Sequence, residues 1–374
     1  MNVLIVGAGW AGTSTHFKLK ENNINSVIFE SNNFVGGHSR SDNIKGVIFE
    51  PNGPHIFHTS NNEINKFVTK FGMLRKFSHQ VKTRVYPRSL KGESKLLSWP
   101  PQVDELKELD EWKIISDEIG NLPKTINDKN FKTYAISIMG GTLYELFIEG
   151  YTNKQWGQDP SKLSSRFAPK RIDLRKDGNK NLFNDKFEYF HPEGSGRIIE
   201  NILQNSEIQF GKTITVDNID TISEGFDAIV LTSSLDLFLN SKKQLKWRGI
   251  ESIPEFYETT KEGTITEAYQ INHPSLNETY TRTIETKHAS GQKIYGSVVA
   301  KEYPKDNIKH YPVLDSENMN VNLNKNLKDE IIKTSRLPIY FCGRLANYQY
   351  INQDEAILQG FECAKKIIRD FKVK

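Results

Sequence analysis

The sequence predicts an α/β protein in which a parallel-sheet domain carries an inserted helical domain and is joined to an antiparallel-sheet domain. Three observations predict this class. The chain opens with a buried-strand pattern that runs into a glycine-rich turn, apolar residues then recur at helical spacing between about residues 75 and 160, and alternating segments follow between residues 264 and 301. At 374 residues the chain is also too long for one small core.

The glycine-rich start is the strongest local motif. Residues 3–6 (VLIV) predict a strand, the sequence GAGWAG predicts a tight turn and a helix start, and an acidic residue ends the next apolar run. Such a turn lets the backbone approach a pyrophosphate, and the acid can accept hydrogen bonds from an adenosine ribose. The predicted dinucleotide contacts are Gly7, Gly9, Trp10, Ala11, Gly12 and Glu30.

Two further turns favour FAD over NAD. Gly37 and His38 follow the second predicted strand, where an NAD-binding unit would continue with a regular crossover. The next turn contains His55, Ile56 and His58, whose imidazoles either line a flavin ring or serve as packing and capping residues. A metal is not expected, because no third ligand candidate lies nearby. We therefore predict a Rossmann-like FAD-binding domain.

The composition excludes several other classes. Fifty basic and 46 acidic residues give a net charge of +4, which indicates no nucleic-acid partner. No apolar run is long enough to span a membrane, no export signal is visible, and Cys342 and Cys363 form no metal or disulfide pattern. We expect a cytoplasmic protein.

The middle of the chain contains candidate ligand contacts. The segment GYTNKQWG ends the helical stretch, and its Tyr151 and Trp156 either stack on a base or sugar or fill a domain interface. The basic residues that follow, among them Arg171 and Arg175, either neutralise a diphosphate or form a solvated face. The tail predicts a strand, a turn at Gly343 and a long apolar helix that completes the FAD site.

These patterns give the following predicted boundaries. The FAD-binding domain comprises residues 1–74, 191–235 and 316–374, the helical insert residues 75–160, a mobile loop and the start of the sheet domain residues 161–190, and the antiparallel-sheet substrate domain residues 236–315.

The chain also resembles a known family over nearly its whole length. The segments GAGWAG, VGGHS, GPHIFHT, GYTNKQWG, YTRTIETKH, AKEYP, HYPV and FCGRLANYQY follow the order and nearly the spacing found in bacterial UDP-galactopyranose mutases. The resemblance implies an isomerase that binds FAD, is active when the flavin is reduced, and interconverts pyranose and furanose forms of a UDP-sugar in the synthesis of cell-surface polysaccharide precursors. The nucleophile would be the flavin N5, so no Ser, Cys or Asp nucleophile is required.

The resemblance also implies roles for individual residues. Phe147, Tyr151 and Trp156 are similar to residues that hold the uridine, while Arg171, Arg282, Tyr311 and Tyr350 are similar to the diphosphate cage. The implied catalytic residues are Arg282, Arg171, His58, Arg248 and Glu302. The implied flavin contacts beyond the glycine turn are Gly37, His38, His55, Ile56, Gly343, Arg344, Tyr350 and Asn352. NAD(P)H or another reductant would reduce the flavin, and a homodimer is an open alternative for the assembly.

Two departures from the family pattern leave the substrate open. Leu182 stands where the family usually has a tyrosine that contacts the nucleotide, and Asn352 replaces the usual acid of the tail motif. UDP-galactopyranose is the expected substrate, with UDP-N-acetylgalactosamine, UDP-arabinose and dTDP-fucose as alternatives. A different class, an FAD oxidase or desaturase on the same scaffold, would have no use for a diphosphate cage, and neither would a flavin-binding protein without catalysis.

Overall fold

The computed structural model describes residues 1–87, 93–170, 172–306 and 308–372. Its strands, in chain order, are Asn2–Val6 (β1), Asn25–Phe29 (β2), Asp42–Ile44 (β3), Val47–Phe49 (β4), Phe57–Thr59 (β5), Arg75–Lys76 (β6), Val81–Val85 (β7), Lys95–Trp99 (β8), Phe187–Phe190 (β9), Ile208–Gln209 (β10), Ala228–Leu231 (β11), Trp247–Tyr257 (β12), Gln270–Asn272 (β13), Arg282–Ile284 (β14), Ser297–Asp306 (β15), Tyr311–Pro312 (β16) and Ile339–Phe341 (β17).

The helices divide between short connecting turns and a few long packed elements. In chain order they are Trp10–Glu21 (α1), Asn62–Thr69 (α2), Val103–Leu106 (α3), Trp112–Gly120 (α4), Phe131–Met139 (α5), Gly141–Leu143 (α6), Gly150–Trp156 (α7), Gly196–Leu203 (α8), Ile219–Ile222 (α9), Leu235–Phe238 (α10), Lys287–Ser290 (α11), Met319–Thr334 (α12), Gly343–Asn347 (α13) and Gln353–Lys372 (α14). None of the helices in the described ranges is long and apolar enough to cross a membrane.

A five-stranded parallel sheet forms the centre of the first domain. Its strand order is β10-β2-β1-β11-β17, and every neighbouring pair is parallel. The strands at its centre are buried on both faces, which is why residues 3–6 and 228–231 are continuous apolar runs rather than alternating ones. This confirms the predicted Rossmann-like α/β class and the predicted return of the chain to the sheet at β11 and β17.

Helices α1 and α14 cover one face of this sheet and pack closely against each other. A Cβ on Gly360 of α14 would lie 2.0 Å from Oγ of Ser14 in α1, and a Cβ on Gly12 would lie 2.0 Å from the carbonyl oxygen of Gly7. Only glycine permits these approaches without displacement. The packing brings the N-terminus of α14 beside the glycine-rich turn.

A seven-stranded sheet forms the second layer, with the order β16-β12-β15-β14-β13-β7-β8. Its pairs are antiparallel except β13 with β7. This corrects one expectation, because residues 75–160 are not wholly helical: β7 and β8 belong to this sheet. In Val81–Val85 the burial alternates along the strand, which is the period of a strand and was overlooked in the sequence.

Helices α3 to α7 follow these strands and enclose their own apolar core. Between α6 and α7 the chain forms one π-helical segment, Tyr144–Glu149, so the backbone from Gly141 to Trp156 is continuously helical. Such segments are rare and occur frequently at functional sites. Here the continuous helix presents Phe147, Tyr151 and Trp156 to one cleft.

Candidate active site

One cleft lies where the three parts of the chain meet. Its empty volume is about 1450 Å³, including the part open to solvent. The lining comes largely from four parts of the chain: the turns around Gly37 and around His55, which together with the glycine-rich turn are called the flavin-type turns; the helices α3 to α7 with the segments beside them; the loop before β9; and the seven-stranded sheet. The residues that line it include His38, His55, Ile56, His58, Trp99, Phe147, Tyr151, Gln155, Trp156, Leu182, Phe183, Gln270, Asn272, Arg282, His310, Tyr311, Arg344, Tyr350, Asn352 and Gln353.

The glycine-rich turn beside the cleft is built as the sequence predicts. Gly7 has φ +104°, a conformation that side-chain-bearing residues rarely adopt. Gly9 is the N-cap of α1, and no side chain caps the helix there. The Glu30 carboxylate is buried and accepts hydrogen bonds from the backbone N–H of Ala8 at 2.9 Å and of Asn32 at 2.9 Å. Glu30 therefore fixes the turn, and its oxygens lie at the end of β2 where a ribose is expected.

The turn around Gly37 packs closely against the glycine-rich turn, and the histidine turn (residues 55–58) lies nearby. A Cβ on Gly37 would lie 3.2 Å from Cα of Gly9. The His55 ring Nδ1 lies 2.6 Å from the carbonyl oxygen of Gly53. A carbonyl only accepts, so Nδ1 carries the hydrogen and Nε2 of the neutral ring remains an acceptor. The backbone N–H of His55 donates to the buried carboxyl of Glu50 at 2.7 Å.

Three histidines in this part of the cleft are held neutral near pH 7. Burial, followed by the nearby charge of Arg344 among other groups, lowers the pKa of His55 to about 3 and that of His310 to about 4. Burial also lowers the pKa of His38 well below its ordinary value, with His310 as a further cause. Arg344 itself donates to the carbonyls of His310, at 2.9 Å, and Ile351. The positive charge here thus comes from arginine and not from imidazole.

A cationic cluster lies next to these turns. Arg282 forms an ion pair with Glu302, which is fully buried, and Tyr311 lies close enough to help raise the pKa of Arg282. Burial opposes the charged form, but Glu302 raises the pKa of Arg282 well above its ordinary value. Tyr151 and Tyr350 complete the cluster, and burial raises the pKa of Tyr151 to about 12. The phenol of Tyr151 is therefore neutral and able to donate.

The helical side of the cleft is aromatic and apolar. Phe147 and Trp156 are almost fully buried, the ring of Trp99 lies 6.2 Å from that of Phe147, and Trp156 lies 6.2 Å from Tyr350. At such centroid distances the rings pack against one another and form a continuous aromatic wall. The cluster around Arg282 and this aromatic wall are neighbours through Tyr311, whose ring centroid lies 6.4 Å from that of Trp156.

The loop before β9 closes one side of the cleft. Leu182 lines it and donates its backbone N–H to the carbonyl of His79 at 2.7 Å. Phe183 stacks on His58 with a centroid distance of 3.6 Å and an interplanar angle of 12°. His58 Nδ1 also lies 2.7 Å from Oδ2 of Asp185. The loop thus contacts His58 of the histidine turn at two points and His79, before β7, at a third.

The described substrate residues expected from the sequence all line this cleft, as do His38, His55, Ile56, His58, Arg344 and Asn352. Glu302 is buried against Arg282, and the expected residues of the glycine turns do not line the cleft. Arg248 does not line it: Nε donates to the carbonyl of Gln155 at 2.8 Å, Nη2 to that of Lys154 at 2.9 Å, and Nη1 to Asp306 at 2.5 Å. The expected catalytic position of Arg248 is therefore corrected, because its guanidinium is engaged in joining α7 to β12. Arg171 lies outside the described residues.

Several cleft residues were missed in the sequence. Asn272 pairs directly with Arg282 in the β13–β14 register, and Gln270 lies two residues before it on the same face. His310 stands in the segment HYPV, and Gln353 directly follows Asn352. Strand periodicity places the two amides on one face of their strand, and the register with β14 brings Asn272 beside Arg282. No local signal marks Gln353.

Fold and cleft together define the class: a flavin-type dinucleotide-binding α/β protein with a buried cationic cluster between its cofactor turns and an aromatic wall. The family model described as UDP-galactopyranose mutase matches residues 146–350, and a model for NAD(P)-binding Rossmann-like domains matches residues 5–71. The chain belongs to the UDP-galactopyranose mutase family. It is therefore an isomerase of the nucleotide-sugar pyranose mutase kind.

Similar proteins span the whole chain. A dTDP-fucopyranose mutase of Escherichia coli is 29% identical over 99% of this chain and 99% of its own length. A probable UDP-galactopyranose mutase of Klebsiella pneumoniae is 28% identical over 98% of this chain and 94% of its own. A crystal structure of reduced UDP-galactopyranose mutase has a TM-score of 0.81 at 17% identity and covers 98% of this chain and 95% of that one.

FAD is the cofactor of this family, and the described residues fit it. The backbones of Gly9 and Gly37 lie in contact, which leaves no side chain between the two turns and a phosphate chain. The first turn of α1 has no side-chain cap and no acidic residue. Its backbone N–H groups can therefore bind an anion. Beyond these turns the neutral histidines His38, His55 and His310 line the cleft with polar groups.

Proposed function

We propose that this enzyme interconverts the pyranose and furanose forms of UDP-galactose. The observation that carries the proposal is the Arg282 cluster, which lies between the flavin-type turns and the aromatic wall. A nucleotide sugar has the same order of parts, with the sugar and the nucleobase on opposite sides of a diphosphate. Bound in that order, it brings its anomeric carbon towards the flavin.

Arg282 is proposed to hold the diphosphate throughout the reaction. Its charge is fixed by Glu302, and the phenol groups of Tyr151, Tyr311 and Tyr350 surround it. A leaving group that must also return needs partners for its charge both in the bonded and in the free state. Preorganised donors in a site that excludes water supply this stabilisation without reorganisation during the reaction.

Phe147 and Trp156 are proposed to hold the nucleobase. Both side chains are almost fully buried on a continuous helix, so their orientation is set before the ligand binds. Rigid aromatic groups give contact area at a low entropic cost. Asn272 and Gln270, which lie on the sheet side of Arg282, are candidates for hydrogen bonds to the sugar hydroxyls.

Reduced FAD supplies the nucleophile for the anomeric carbon when it is bound. The chain holds His55 neutral with Nε2 as an acceptor, and it keeps His38 and His310 uncharged beside Arg344. These groups can accept or orient a proton of the ring without adding charge. His58 is fixed by Asp185 and Phe183 and is proposed to shape the adjacent wall.

A second substrate, dTDP-fucopyranose, is favoured by one specific observation. Leu182 lines the loop side of the cleft with an apolar side chain, and Phe147 and Trp99 also line the cleft. An apolar surface does not reject a thymine methyl group, and a 6-deoxy sugar needs one hydrogen bond fewer than galactose. One curated relative is named for this activity.

The test is product analysis with a matched control. Protein is reduced with dithionite in the absence of oxygen and incubated with UDP-galactose, UDP-N-acetylgalactosamine, UDP-arabinose and dTDP-fucose, and the products are separated by chromatography. We expect an isomer of UDP-galactose, none with oxidised protein, and little with Arg282→Ala. An isomer of dTDP-fucose alone would select the second substrate.

The role of the reductant is tested in the same experiment. NAD(P)H, or another reductant, is proposed to reduce the flavin once and not in each turnover, because substrate and product are isomers. Oxidation of NAD(P)H in a one-to-one ratio with the substrate would contradict the mutase reaction. A homodimer stays a proposal that sedimentation can test.

A further inference from the structure

Gln353, the first residue of α14, has a side chain with contacts to three separate turns. Its Oε1 accepts a hydrogen bond from Nε1 of Trp10 at 2.8 Å and lies 3.4 Å from Oγ of Ser39. Its Nε2 donates to the carbonyls of His55 at 3.0 Å and Ile56 at 3.3 Å. Trp10 begins α1, Ser39 ends the second glycine turn, and His55 belongs to the histidine turn. One amide therefore joins all three flavin-type turns.

The oxygen and the nitrogen of this amide each form hydrogen bonds with groups that have little access to water. Trp10 is 6% exposed, and a buried indole N–H requires an acceptor. Ile56 is 4% exposed, and its carbonyl receives one of the two amide hydrogens. An amide suits this position because it presents an acceptor on one side and donors on the other. A carboxylate would offer no donor, and a thioether would offer no donor and only a weak acceptor.

The histidine turn is also held by groups other than Gln353. The His55 backbone N–H donates to Glu50, and Oγ of Ser195 donates to the His55 carbonyl at 2.7 Å. Loss of the Gln353 amide would thus leave this turn folded. What would be lost is the connection between the histidine turn and Trp10 of the glycine-rich turn.

We propose that Gln353 is a positioning residue that sets the separation between the diphosphate end and the ring end of the FAD site. It lines the cleft itself, so its displacement changes the surroundings of the ring as well as the turns. The proposal rests on FAD binding at these turns. It concerns affinity and ring environment rather than the isomerase chemistry.

The experiment is a double-mutant cycle on FAD binding by apoprotein. The variants are Gln353→Met, Trp10→Phe and the double variant, with Gln204→Met, at an exposed position at the end of α8, as the control. Losing neutral hydrogen bonds and leaving buried partners unsatisfied should raise the FAD dissociation constant about tenfold in Gln353→Met. The two effects should not add, because Trp10 and Gln353 share one bond.

A second measurement separates positioning from general stability. In FAD-saturated protein, Gln353→Met should shift the visible absorption bands of the flavin. Gln353→Glu should shift these bands too. It retains an acceptor for the indole N–H of Trp10, but it places a negative charge next to the carbonyl oxygens of His55 and Ile56. The melting temperature of the apoprotein reports stability alone.

The outcomes are distinguishable. A lower melting temperature of the apoprotein with unchanged FAD affinity and unchanged bands would overturn the proposal and leave a structural role only. If the effects of Trp10→Phe and Gln353→Met on the FAD dissociation constant were additive, the two side chains would not act through one shared hydrogen bond, which would overturn the proposal. Failure of the wild-type protein to bind FAD would instead refute the flavin site itself.

Discussion

Glu50 provides a prediction whose size follows from its surroundings. The residue is 2% exposed, and its carboxyl group accepts hydrogen bonds from the backbone of His55 and from the hydroxyl of Tyr269 at 3.2 Å. Burial, only partly offset by these hydrogen bonds, raises the pKa of Glu50 from 4.5 to about 7. The folded protein therefore binds a proton that the unfolded chain releases at lower pH.

The sign and magnitude follow from proton linkage. The stabilisation from protonated Glu50 is complete below the unfolded pKa and is lost as the pH rises from about 4.5 to about 7. A pKa difference of this size corresponds to about 3 kcal/mol in the free energy of unfolding. With an unfolding entropy of about 2.1 cal/mol/K for each residue, this equals about 4 °C in melting temperature for a chain of this length.

The assay is the melting temperature of apoprotein between about pH 5 and pH 8 for the wild type and Glu50→Gln. The variant cannot ionise, so the wild type should lose about 3 °C more than the variant over this range, since part of the loss already occurs below pH 5. Glu188, whose pKa burial also raises to about 7, contributes equally to both proteins and cancels in the difference. Parallel curves would refute the argument and show that Glu50 is ionised throughout.

The remaining predictions concern the cleft. Arg282→Ala should lower kcat/KM by about 10²-fold or more while FAD still binds. Arg248→Ala should chiefly lower the melting temperature, because its guanidinium joins α7 to β12. Equal, mild effects of the two variants on kcat/KM would contradict the placement of the diphosphate at Arg282. Gly9→Val should abolish flavin absorbance in purified protein, and a variant that remains yellow would contradict the pyrophosphate position. Leu182→Tyr should tighten UDP binding by about 0.5 to 1.5 kcal/mol in calorimetric titration, and unchanged UDP and TDP affinity would mean that residue 182 does not face the nucleotide.

The sequence by itself determined the nucleotide-binding half of the protein. Residues 3–12 combine a strand pattern, a glycine turn and a helix start within one short segment, so local sterics and periodicity suffice to predict their structure. The same holds for β11, β17 and α14, whose apolar patterns are strong and uninterrupted. The family motifs identified Arg282 and Tyr311 as neighbours before the structure placed them together.

Only the tertiary structure decided which of these residues face the cleft. Both Arg248 and Arg282 were expected to be catalytic, yet one donates to the carbonyls of α7 and the other reaches the cleft. Gln353 gains its role from turns that lie about 300 or more residues away in the chain. Strand β7 joins the large sheet through β13, which is distant in sequence, whereas β8 pairs locally with β7. Hydrogen bonds and burial between remote segments depend on how the layers pack, and no local pattern encodes that packing.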